Sequence, residues 1–426
     1  MNSKGITLNR TKYYCEVDKS KAVAEYLVEG GDRKLTINEN PNLFITKLFG
    51  VALKVENFSE EGFKSVVTLE LCDDDFINKK SSRGNLYVHQ FSNDFYLNNR
   101  FAIITLEEDA LGKSVLYGSY DNSQPKRIRV TNISFQSFDS PRFFLQQQFL
   151  GILNSPRNNL LSHSVEWDAD DYELLIFGVG QGMCSLLRSK SLKNGLLFDI
   201  GAGTPVKRGF YLQARMRNDL LTEIQKLDDL RLILSHFDSD HYRILTWCTA
   251  TQRKISIIYA PENVAKKPLF YSKNGIKSKV RFVSRLNIRA GRFQVEAFRT
   301  KPNRGSTENN DNELVTHIKK DSGKENYLFP GDYVYKKFRS DKQEPIKRLV
   351  RTIKFDFVVA PHHGDYQSAS NLAAPKSKDI SEVFFSAGDH LGYKHPTYAS
   401  VIAHLNKGFN VICYNPSKDI VKVKSL

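Results

Sequence analysis

Four side chains of the kind that bind metal ions fall within six residues of the stretch LSHFDSDHY: His236, Asp238, Asp240 and His241. They follow the apolar run LRLIL, so they stand where a buried strand gives way to a loop. Neutral imidazoles and carboxylates bind borderline to hard divalent ions, and the alternation H-x-D-x-D-H can turn several of them toward one centre. The stretch therefore predicts a metal site at the end of a strand.

Further residues of the same chemical type follow other apolar runs. Asp199 lies at the end of LLFDIG, Asp332 at the end of NYLFPGD, and His362 and His363 in VVAPHHG, while His395 lies in a later loop. In an α/β protein the strand ends carry the polar groups, because both faces of the sheet are covered. We therefore expect these side chains to converge on one edge of the core.

Taken together, these motifs resemble the metallo-β-lactamase superfamily, and more closely the nuclease domain of ComEC-type DNA-uptake proteins. The resemblance covers about residues 170–420 and does not reach residues 1–165. The matching motifs are GVGQGMCSLL at 178–187, FDIGAG at 198–203, SHFDSDH at 235–241, FPGD at 329–332, PHHG at 361–364, SAG at 386–388 and HP at 395–396.

The fold class that this resemblance implies is α/β, a metallo-β-lactamase αβ/βα sandwich preceded by a separate, mostly β N-terminal domain. Short alternating runs such as RFAIITLEE and RIRVTNISF, separated by turn-like stretches, indicate strands in the N-terminal part. We predict a β-rich domain over residues 1–165 and a catalytic domain over residues 166–426.

The resemblance also implies a division of the ligands between two ions. His236 and Asp238 are expected to hold one ion, and Asp240, His241 and one histidine of PHHG, His363, the other. Such a pair of ions activates a water molecule and braces both oxygens of an in-line phosphoryl displacement. Asp240 is near enough in the motif to accept a proton from that water.

Four more residues receive roles from the same resemblance. Asp332 is expected to bridge the two ions, and Asp199 to brace the ligand loop by hydrogen bonds. His362 is expected to face the substrate or to support a ligand. His395 is expected to contact the scissile phosphate or to protonate the leaving oxygen, and its alternative is a structural loop histidine.

The sequence departs from the superfamily pattern at the first ion. Many members have a further histidine ligand between the H-x-D-x-D-H loop and the G-D strand, but His317 is the only histidine in that interval and lies inside the apolar run ELVTHI. Asp238 is a harder ligand than an imidazole, which shifts the preference toward Mn²⁺ or Mg²⁺ relative to Zn²⁺. We predict two divalent ions, Zn²⁺ or Mn²⁺ with Mg²⁺ as a third candidate, and a weakly held first ion.

The net charge of +15 is concentrated beside these motifs. Residues 166–426 hold 42 of the 62 Lys and Arg but only 28 of the 47 Asp and Glu, and residues 253–304 hold 14 basic and 2 acidic ones. Such a field favours a polyanionic partner, because each phosphate contact releases condensed counterions. The residues predicted to contact nucleic acid are Lys273, Lys277, Lys279, Arg281, Arg285 and Arg289.

These features predict a metal-dependent phosphodiesterase or nuclease that acts on nucleic acid, with DNA as the expected substrate. The first alternative is a metallo-hydrolase of a small substrate, such as a cyclic nucleotide, a lactone or a thioester, since the fold alone does not decide. The second alternative is a binding or regulatory protein with a vestigial site. Cleavage assays with polymeric and small phosphodiesters distinguish the three.

No segment has the roughly 20 consecutive apolar residues that span a bilayer, and the N-terminal stretch MNSKGITLNR lacks the core of a signal peptide. We therefore expect a cytoplasmic protein without a membrane partner. Residues 1–165 are expected to recruit a protein partner, form an oligomer or gate the site, and a role in antiphage defence is expected by analogy. The oligomeric state stays open.

Overall fold

The computed structural model describes residues 11–17, 48–54, 67–71, 101–112, 114–118, 124–135, 161–203, 206, 208, 211, 219–261, 276–302, 311–388, 395–413 and 420–425. Lys273, predicted to contact nucleic acid, lies outside these residues. None of the helices in the described part is long and apolar enough to cross a membrane.

A closed β-barrel forms the described part of the N-terminal region. Its strands are β1 (Thr11–Val17), β2 (Leu48–Lys54), β3 (Val67–Leu71), β4 (Phe101–Glu108), β5 (Ser114–Gly118) and β6 (Lys126–Phe135). They pair antiparallel in the order β1-β2-β3-β5-β6-β4, and β4 closes the barrel on β1. Alternate residues such as Ile104 and Leu106 fill the interior. Closure leaves no unpaired sheet edge among these strands.

The described residues from Leu161 onward form one large sheet with helices on its outer faces. Its strands are β7 (Leu161–Trp167), β8 (Tyr172–Phe177), β9 (Cys184–Ser189), β10 (Asn194–Ile200), β11 (Asp229–Ile233), β12 (Ile255–Pro261), β13 (Val280–Ala290), β14 (Phe293–Arg299), β15 (Leu314–Lys320), β16 (Glu325–Phe329), β18 (Phe357–Val359), β20 (Glu382–Phe385), β21 (Asn410–Cys413) and β22 (Ile420–Ser425), with β17 (Lys354–Phe355) and β19 (Ala374–Pro375) as a separate pair. The helices are α1 (Asp219–Gln225), α2 (Ser239–Trp247), α3 (Thr249–Lys254), α4 (Ile276–Lys279), α5 (Tyr335–Ser340), α6 (Glu344–Arg351) and α7 (Tyr398–Lys407).

The sheet order is β21-β20-β18-β16-β15-β14-β13-β12-β11-β10-β9-β8-β22, and its two halves face each other across a shared core. Phe198 of β10 stacks on Phe329 of β16 with 4.4 Å between the ring centroids. The outer face of the β14–β18 half is covered by α5 and α6 through residues such as Phe338 and Leu349, while α2 lies against β10. The predicted fold class is thus confirmed: an α/β sandwich with the order αβ/βα.

The parallel strands of each half end at one edge. The strands β10 and β11 are parallel, and so are β16, β18 and β20. Carboxyl ends of parallel neighbours lie side by side, so the loops after them are close in space. This register brings the motifs of the sequence to one edge of the sandwich.

The first strand of the sandwich begins earlier than the predicted domain boundary. Residues 161–165, predicted as the end of the N-terminal domain, belong to β7, which pairs in parallel with β13. Of the two compact units of the chain, one comprises Met1–Leu153 with Pro268–Lys277 and Leu391–Tyr393, and the other comprises the remaining residues from Asn154 onward. The strand was not predicted from LSHSVEW because the sequence is polar and its residues alternate between exposed and half-buried positions.

Candidate metal centre

The H-x-D-x-D-H stretch crosses from a strand end into a helix. His236 lies in the loop after β11, and α2 begins at Ser239 with Asp238 as its N-cap. Asp240 and His241 therefore lie in the first helical turn, whereas the sequence predicted them in a tight loop. The helix restricts the positions of these two side chains more than a loop would, because its backbone is held by regular i to i−4 hydrogen bonds.

Asp332, the residue after Gly331 in FPGD, lies between four histidines. Its Oδ2 atom is 3.7 Å from Nε2 of His236 and 3.7 Å from Nε2 of His362. Its Oδ1 atom is 3.2 Å from Nε2 of His241 and 3.6 Å from Nε2 of His363. The two oxygens of one carboxylate thus face two different pairs of imidazoles.

Each histidine pair has an aspartate from the same loop beside it. Asp238 Oδ2 lies 3.4 Å from His236 Nε2, and Asp240 Oδ2 lies 3.1 Å from His363 Nε2. Two overlapping groups of ligand atoms are close enough to share an ion: His236 with His241 and Asp332, and Asp240 with His241 and His363. His241 belongs to both groups, and Asp332 lies beside the histidines of each.

The donor set fits divalent cations. The Nε2 atoms of His236, His241 and His363 are buried and lack a well-aligned hydrogen-bond partner among the described residues. An imidazole nitrogen in that condition is costly unless it meets a proton donor or a metal ion. Mixed imidazole and carboxylate ligands suit Zn²⁺ and Mn²⁺.

The electrostatics of the buried carboxylates follow from the same histidines. Burial alone would raise the pKa of Asp332, but the charges of His362, His241 and His363 hold it well below its usual range. Burial opposes ionisation of Asp240 too, yet its close contact with His363 and the charge of His241 lower the pKa to about 2. Both side chains are therefore carboxylates at neutral pH, the form in which an aspartate can bind a metal ion.

Asp199 supports the ligand loop from β10. Its Oδ1 accepts a hydrogen bond from the backbone N–H of Ser235 at 2.7 Å, and its Oδ2 accepts one from the Ser235 hydroxyl at 2.8 Å. Oδ2 also lies 2.7 Å from Nδ1 of His241, which leaves only the Nε2 of that ring for an ion. Asp199 adopts a positive φ of 57°, a costly conformation for a residue other than glycine.

His363 is oriented by the SAG motif. Its Nδ1 lies 2.7 Å from the carbonyl oxygen of Ser386, to which the ring N–H donates, so Nε2 faces Asp240. The hydroxyl of Ser386 donates to the carbonyl of Gly182 in the GQG motif. Support of this kind fixes the tautomer and the ring direction of a ligand histidine.

Gly182 of GVGQG and Gly201 of FDIGAG allow the backbone of Asp240 to pack closely against β9 and β10. A Cβ on Gly201 would lie 1.4 Å from the carbonyl oxygen of Asp240, and a Cβ on Gly182 would lie 2.8 Å from it. Met183 N–H donates to the same carbonyl at 3.1 Å. The GVGQG and FDIGAG motifs therefore serve to bring β9, β10 and α2 into close contact beneath the metal centre.

Glu313 is a site residue that the sequence did not single out. Its side chain is fully buried, and its Oε2 accepts a hydrogen bond from the backbone N–H of Asp332 at 2.8 Å. The same oxygen lies 3.6 Å from Nδ1 of His236. Burial and the charge of Asp332 raise its pKa well above the usual range. The sequence feature that could have indicated Glu313 is its position as a charged residue at the start of the otherwise apolar run ELVTHI.

His395 lies beside the PHHG histidines. Its ring centroid is 5.7 Å from that of His362 and 6.5 Å from that of His363. Burial, together with the charges of those two rings, lowers the pKa of His395 to about 3. A neutral imidazole can donate one hydrogen bond to a phosphate oxygen, but it carries no extra proton for a leaving group. His317 lies elsewhere, with Nε2 3.0 Å from Asn326 Oδ1.

The residues predicted to contact nucleic acid differ in their surroundings. Lys279 turns inward, where Nζ donates to the carbonyls of Gln252 at 2.7 Å and Ile255 at 2.6 Å, so it does not present its ammonium outward. Lys277 lies in α4, and its side chain is not described. Arg281, Arg285 and Arg289 are exposed on β13.

No family model matches the chain, and no curated protein matches it. Among solved structures, the chain is similar to CmlA, a diiron β-hydroxylase from Streptomyces venezuelae, at 10% identity and a TM-score of 0.33 over 80% of this chain and 72% of that chain. It is similar to unliganded yeast PDE1 at 12% identity and a TM-score of 0.35 over 57% of this chain and 97% of that chain. It is also similar to an archaeal metallo-β-lactamase superfamily protein from Sulfolobus tokodaii at 14% identity and a TM-score of 0.23, over 37% and 62% of the two chains.

None of these three structures is described as a ComEC-type protein, so that narrower resemblance stays a prediction. At such low identities and TM-scores, the candidate function has to be argued from the side chains of this chain.

Proposed function

We propose that this chain is a metal-dependent hydrolase of phosphodiesters, with nucleic acid as its substrate and DNA as the first candidate. The observation that carries the proposal is Asp332, whose two carboxylate oxygens face different histidine pairs within 3.7 Å. One carboxylate between two nitrogen-rich subsites is the arrangement that a two-ion centre requires.

His362 completes the first subsite in this proposal. His236, Asp238 and His362 would hold one ion together with Oδ2 of Asp332. His362 would thereby supply the third protein ligand that no histidine between 242 and 331 provides, which extends the support or substrate role predicted for it. The first histidine of PHHG, His362, would thus take the place of the ligand that the interval 242–331 lacks.

The second subsite would be formed by Asp240, His241 and His363 with Oδ1 of Asp332. When bound, two divalent ions lower the pKa of a water molecule and stabilise the charge that develops on the phosphate. The carboxylate of Asp240 is placed to accept the proton of the attacking water. His395 is placed to donate a hydrogen bond to a phosphate oxygen.

Arg281 supports a polyanionic substrate. It is in register with Tyr259 of β12, which is in register with Ile233 of β11, three residues before His236. Two strand spacings correspond to about 10 Å, so Arg281 lies close to the edge that holds the ligands. Arg285 and Arg289 continue along the same strand. Phosphate contacts of this kind make binding salt-dependent.

The test is cleavage of linear and circular DNA, single- and double-stranded, and of RNA, by the purified chain at low salt with Mn²⁺, Mg²⁺ or Zn²⁺. We expect metal-dependent cleavage that Asp240→Ala abolishes. Asp168→Ala is the matched control, since that side chain is 82% exposed and pairs only loosely with Lys193 at 3.8 Å.

The alternatives give different results in the same assay. Turnover of bis(p-nitrophenyl) phosphate without cleavage of any polymer would point to a small phosphodiester as substrate. Absence of all turnover, or cleavage that Asp240→Ala leaves undiminished, would refute the proposal and favour a vestigial site.

The N-terminal residues 1–165 are proposed to recruit a protein partner. The support is that a closed barrel with near-neutral composition adds no ligand-type cluster among its described strands. Affinity capture with the full chain, compared with a chain that begins at Asn154, tests this role. Equal capture by both chains would contradict it.

A further inference from the structure

A second cavity, separate from the metal centre, lies on the outer face of the sandwich. Its volume is about 610 Å³, and it lies between the outer face of β13–β16 and the C-terminal end of α6. The strand β15 connects the two places: Leu314 donates its N–H to Ser235 in the ligand loop, and Lys319 lines the cavity. Five residues of extended chain correspond to about 17 Å, so the cavity is not part of the metal centre.

The lining of this cavity is strongly basic. Five cationic side chains line it, against one carboxylate, that of Glu296; the cations are Arg285, Lys319, Arg348, Lys354 and Lys376. Glu296 is buried and pairs with both Arg285 and Lys319, while Lys376 pairs with Asp356 at 3.3 Å. Arg348 and Lys354 have no ion-pair partner within the part of the chain that the structure describes.

The floor of the cavity is uncharged. His317 is fully buried, donates from Nε2 to Asn326 and is kept neutral because burial lowers its pKa to about 4. Phe298, Leu349 and Ile353 form an apolar wall beside it. A lining that combines apolar side chains with guanidinium and ammonium groups suits a ligand with an apolar body and an anionic group.

We propose that this cavity binds a small organic phosphate of nucleotide size, with the phosphate at Arg348 and Lys354 and the apolar body against Phe298 and Leu349. Cavities of about 300–1,000 Å³ with a few charged groups are the usual size for such ligands. Guanidinium and ammonium groups that are not already paired bind phosphate through charge-assisted hydrogen bonds. The ligand is either a free nucleotide or the 5′-terminal nucleotide of a nucleic acid chain.

The test measures binding of AMP to the full, metal-loaded chain by calorimetry. The cavity variant is Arg348→Glu with Lys354→Glu, and the matched control is Arg339→Glu with Lys336→Glu, two exposed residues of α5 that do not line the cavity. We expect AMP binding at least about tenfold weaker in the cavity variant, since two charge-assisted contacts become repulsive. The control should bind like the unmodified chain.

Three results would overturn the proposal: no AMP binding by the unmodified chain, equal binding by the cavity variant, or equal loss in the control variant. Adenosine that binds as well as AMP would also overturn it, because the phosphate would then contribute nothing. If the double variant does not fold, as judged by circular dichroism, Arg348→Ala replaces it with the same expectation. A 5′-phosphorylated hexanucleotide separates the two sources: tighter binding of the oligonucleotide indicates a chain end, and tighter binding of AMP a free nucleotide.

Discussion

Asp199 Oδ2 lies 2.7 Å from Nδ1 of His241, and this contact fixes which nitrogen of His241 faces the metal centre. The same carboxylate accepts two hydrogen bonds from Ser235, so it connects β10 to the ligand loop after β11. A single side chain thus sets both the position of the loop and the direction of one ligand.

Asp199→Asn is expected to weaken metal binding about 10- to 100-fold, the usual effect of losing the acceptor behind a ligand histidine. The amide NH₂ would replace either Oδ1, which accepts from the Ser235 N–H, or Oδ2, which faces both the Ser235 hydroxyl and His241 Nδ1, so at least one accepted hydrogen bond is lost. Calorimetric titration with Mn²⁺ measures the effect, with Asp168→Asn at an exposed position as control. Unchanged affinity would show that His241 does not bind metal.

His362→Ala and His363→Ala should each remove one ion. The first variant should lose the ion beside His236, and the second should lose the ion beside His241. The two rings approach different oxygens of Asp332, at 3.7 Å and 3.6 Å. We expect the metal content, measured by mass spectrometry after dialysis, to fall from two ions to one in each variant. His395→Ala should retain both ions. Retention of two ions by His362→Ala would refute its role as a ligand.

Glu313→Ala should lower the stability of the chain by about 1–3 kcal/mol, since it leaves the buried N–H of Asp332 without an acceptor. Glu313→Gln retains an acceptor oxygen and should cost much less. Urea unfolding of both variants measures the difference, and metal affinity should fall with it because the same hydrogen bond positions Asp332. Equal stability of the two variants would mean that this hydrogen bond is not important.

The strand ends that carry the clustered His and Asp side chains could be predicted from the sequence, because apolar runs followed by His or Asp are visible at each of them. Glu313 could not be predicted in the same way. Its contact with Asp332 depends on Gly331, whose φ of +63° folds the FPGD turn back, and a Cβ there would lie 2.3 Å from Glu313 Oε2. No spacing in the sequence reveals that approach.

Lys279 illustrates a second limit of sequence-based prediction. The nearby Arg281 is exposed, but the ammonium of Lys279 meets carbonyl groups near the C-terminal end of α3, where it is stabilised by the helix dipole. Charge counts along a chain indicate that an anionic partner is favoured. They do not show which lysines already donate hydrogen bonds to groups of the protein itself. The helical position of Asp240 was missed because Asp238, which is the N-cap of α2, was interpreted only as a metal ligand.

Gly201→Ala should destabilise the chain by more than about 2 kcal/mol and abolish metal binding, because its Cβ would lie 1.4 Å from the carbonyl oxygen of Asp240. The contact is with backbone, which cannot move without displacing α2. Gly195→Ala is the control, since its Cβ would meet only the ends of side chains, with Leu227 at 2.4 Å and Leu230 at 3.1 Å as the two nearest. Thermal unfolding of both variants checks the prediction, and a smaller loss for Gly201→Ala than for Gly195→Ala would contradict it.

The stability of the sandwich should fall as the pH drops below 6.5, in part because of His404. Its Nδ1 lies 2.7 Å from the Ser400 carbonyl, to which the ring N–H donates, and its Nε2 lies 3.2 Å from the hydroxyl of Tyr335. Burial among Tyr335, Phe385 and Phe409 lowers the pKa of His404 from 6.5 to about 4. The folded state therefore holds the neutral ring, and protons bind preferentially to the unfolded chain between these two values.

The contribution of His404 is fully present above pH 6.5 and is lost as the pH falls toward 4, by up to about 3 kcal/mol. His404→Gln, which cannot titrate, should be less stable than the unmodified chain at pH 7, and the gap should narrow steadily as the pH is lowered to 5. Urea unfolding at pH 7, 6 and 5 measures that gap, and carboxylate titration elsewhere cancels in the difference. A gap that stays constant over this range would mean that folding leaves the pKa of the ring unchanged.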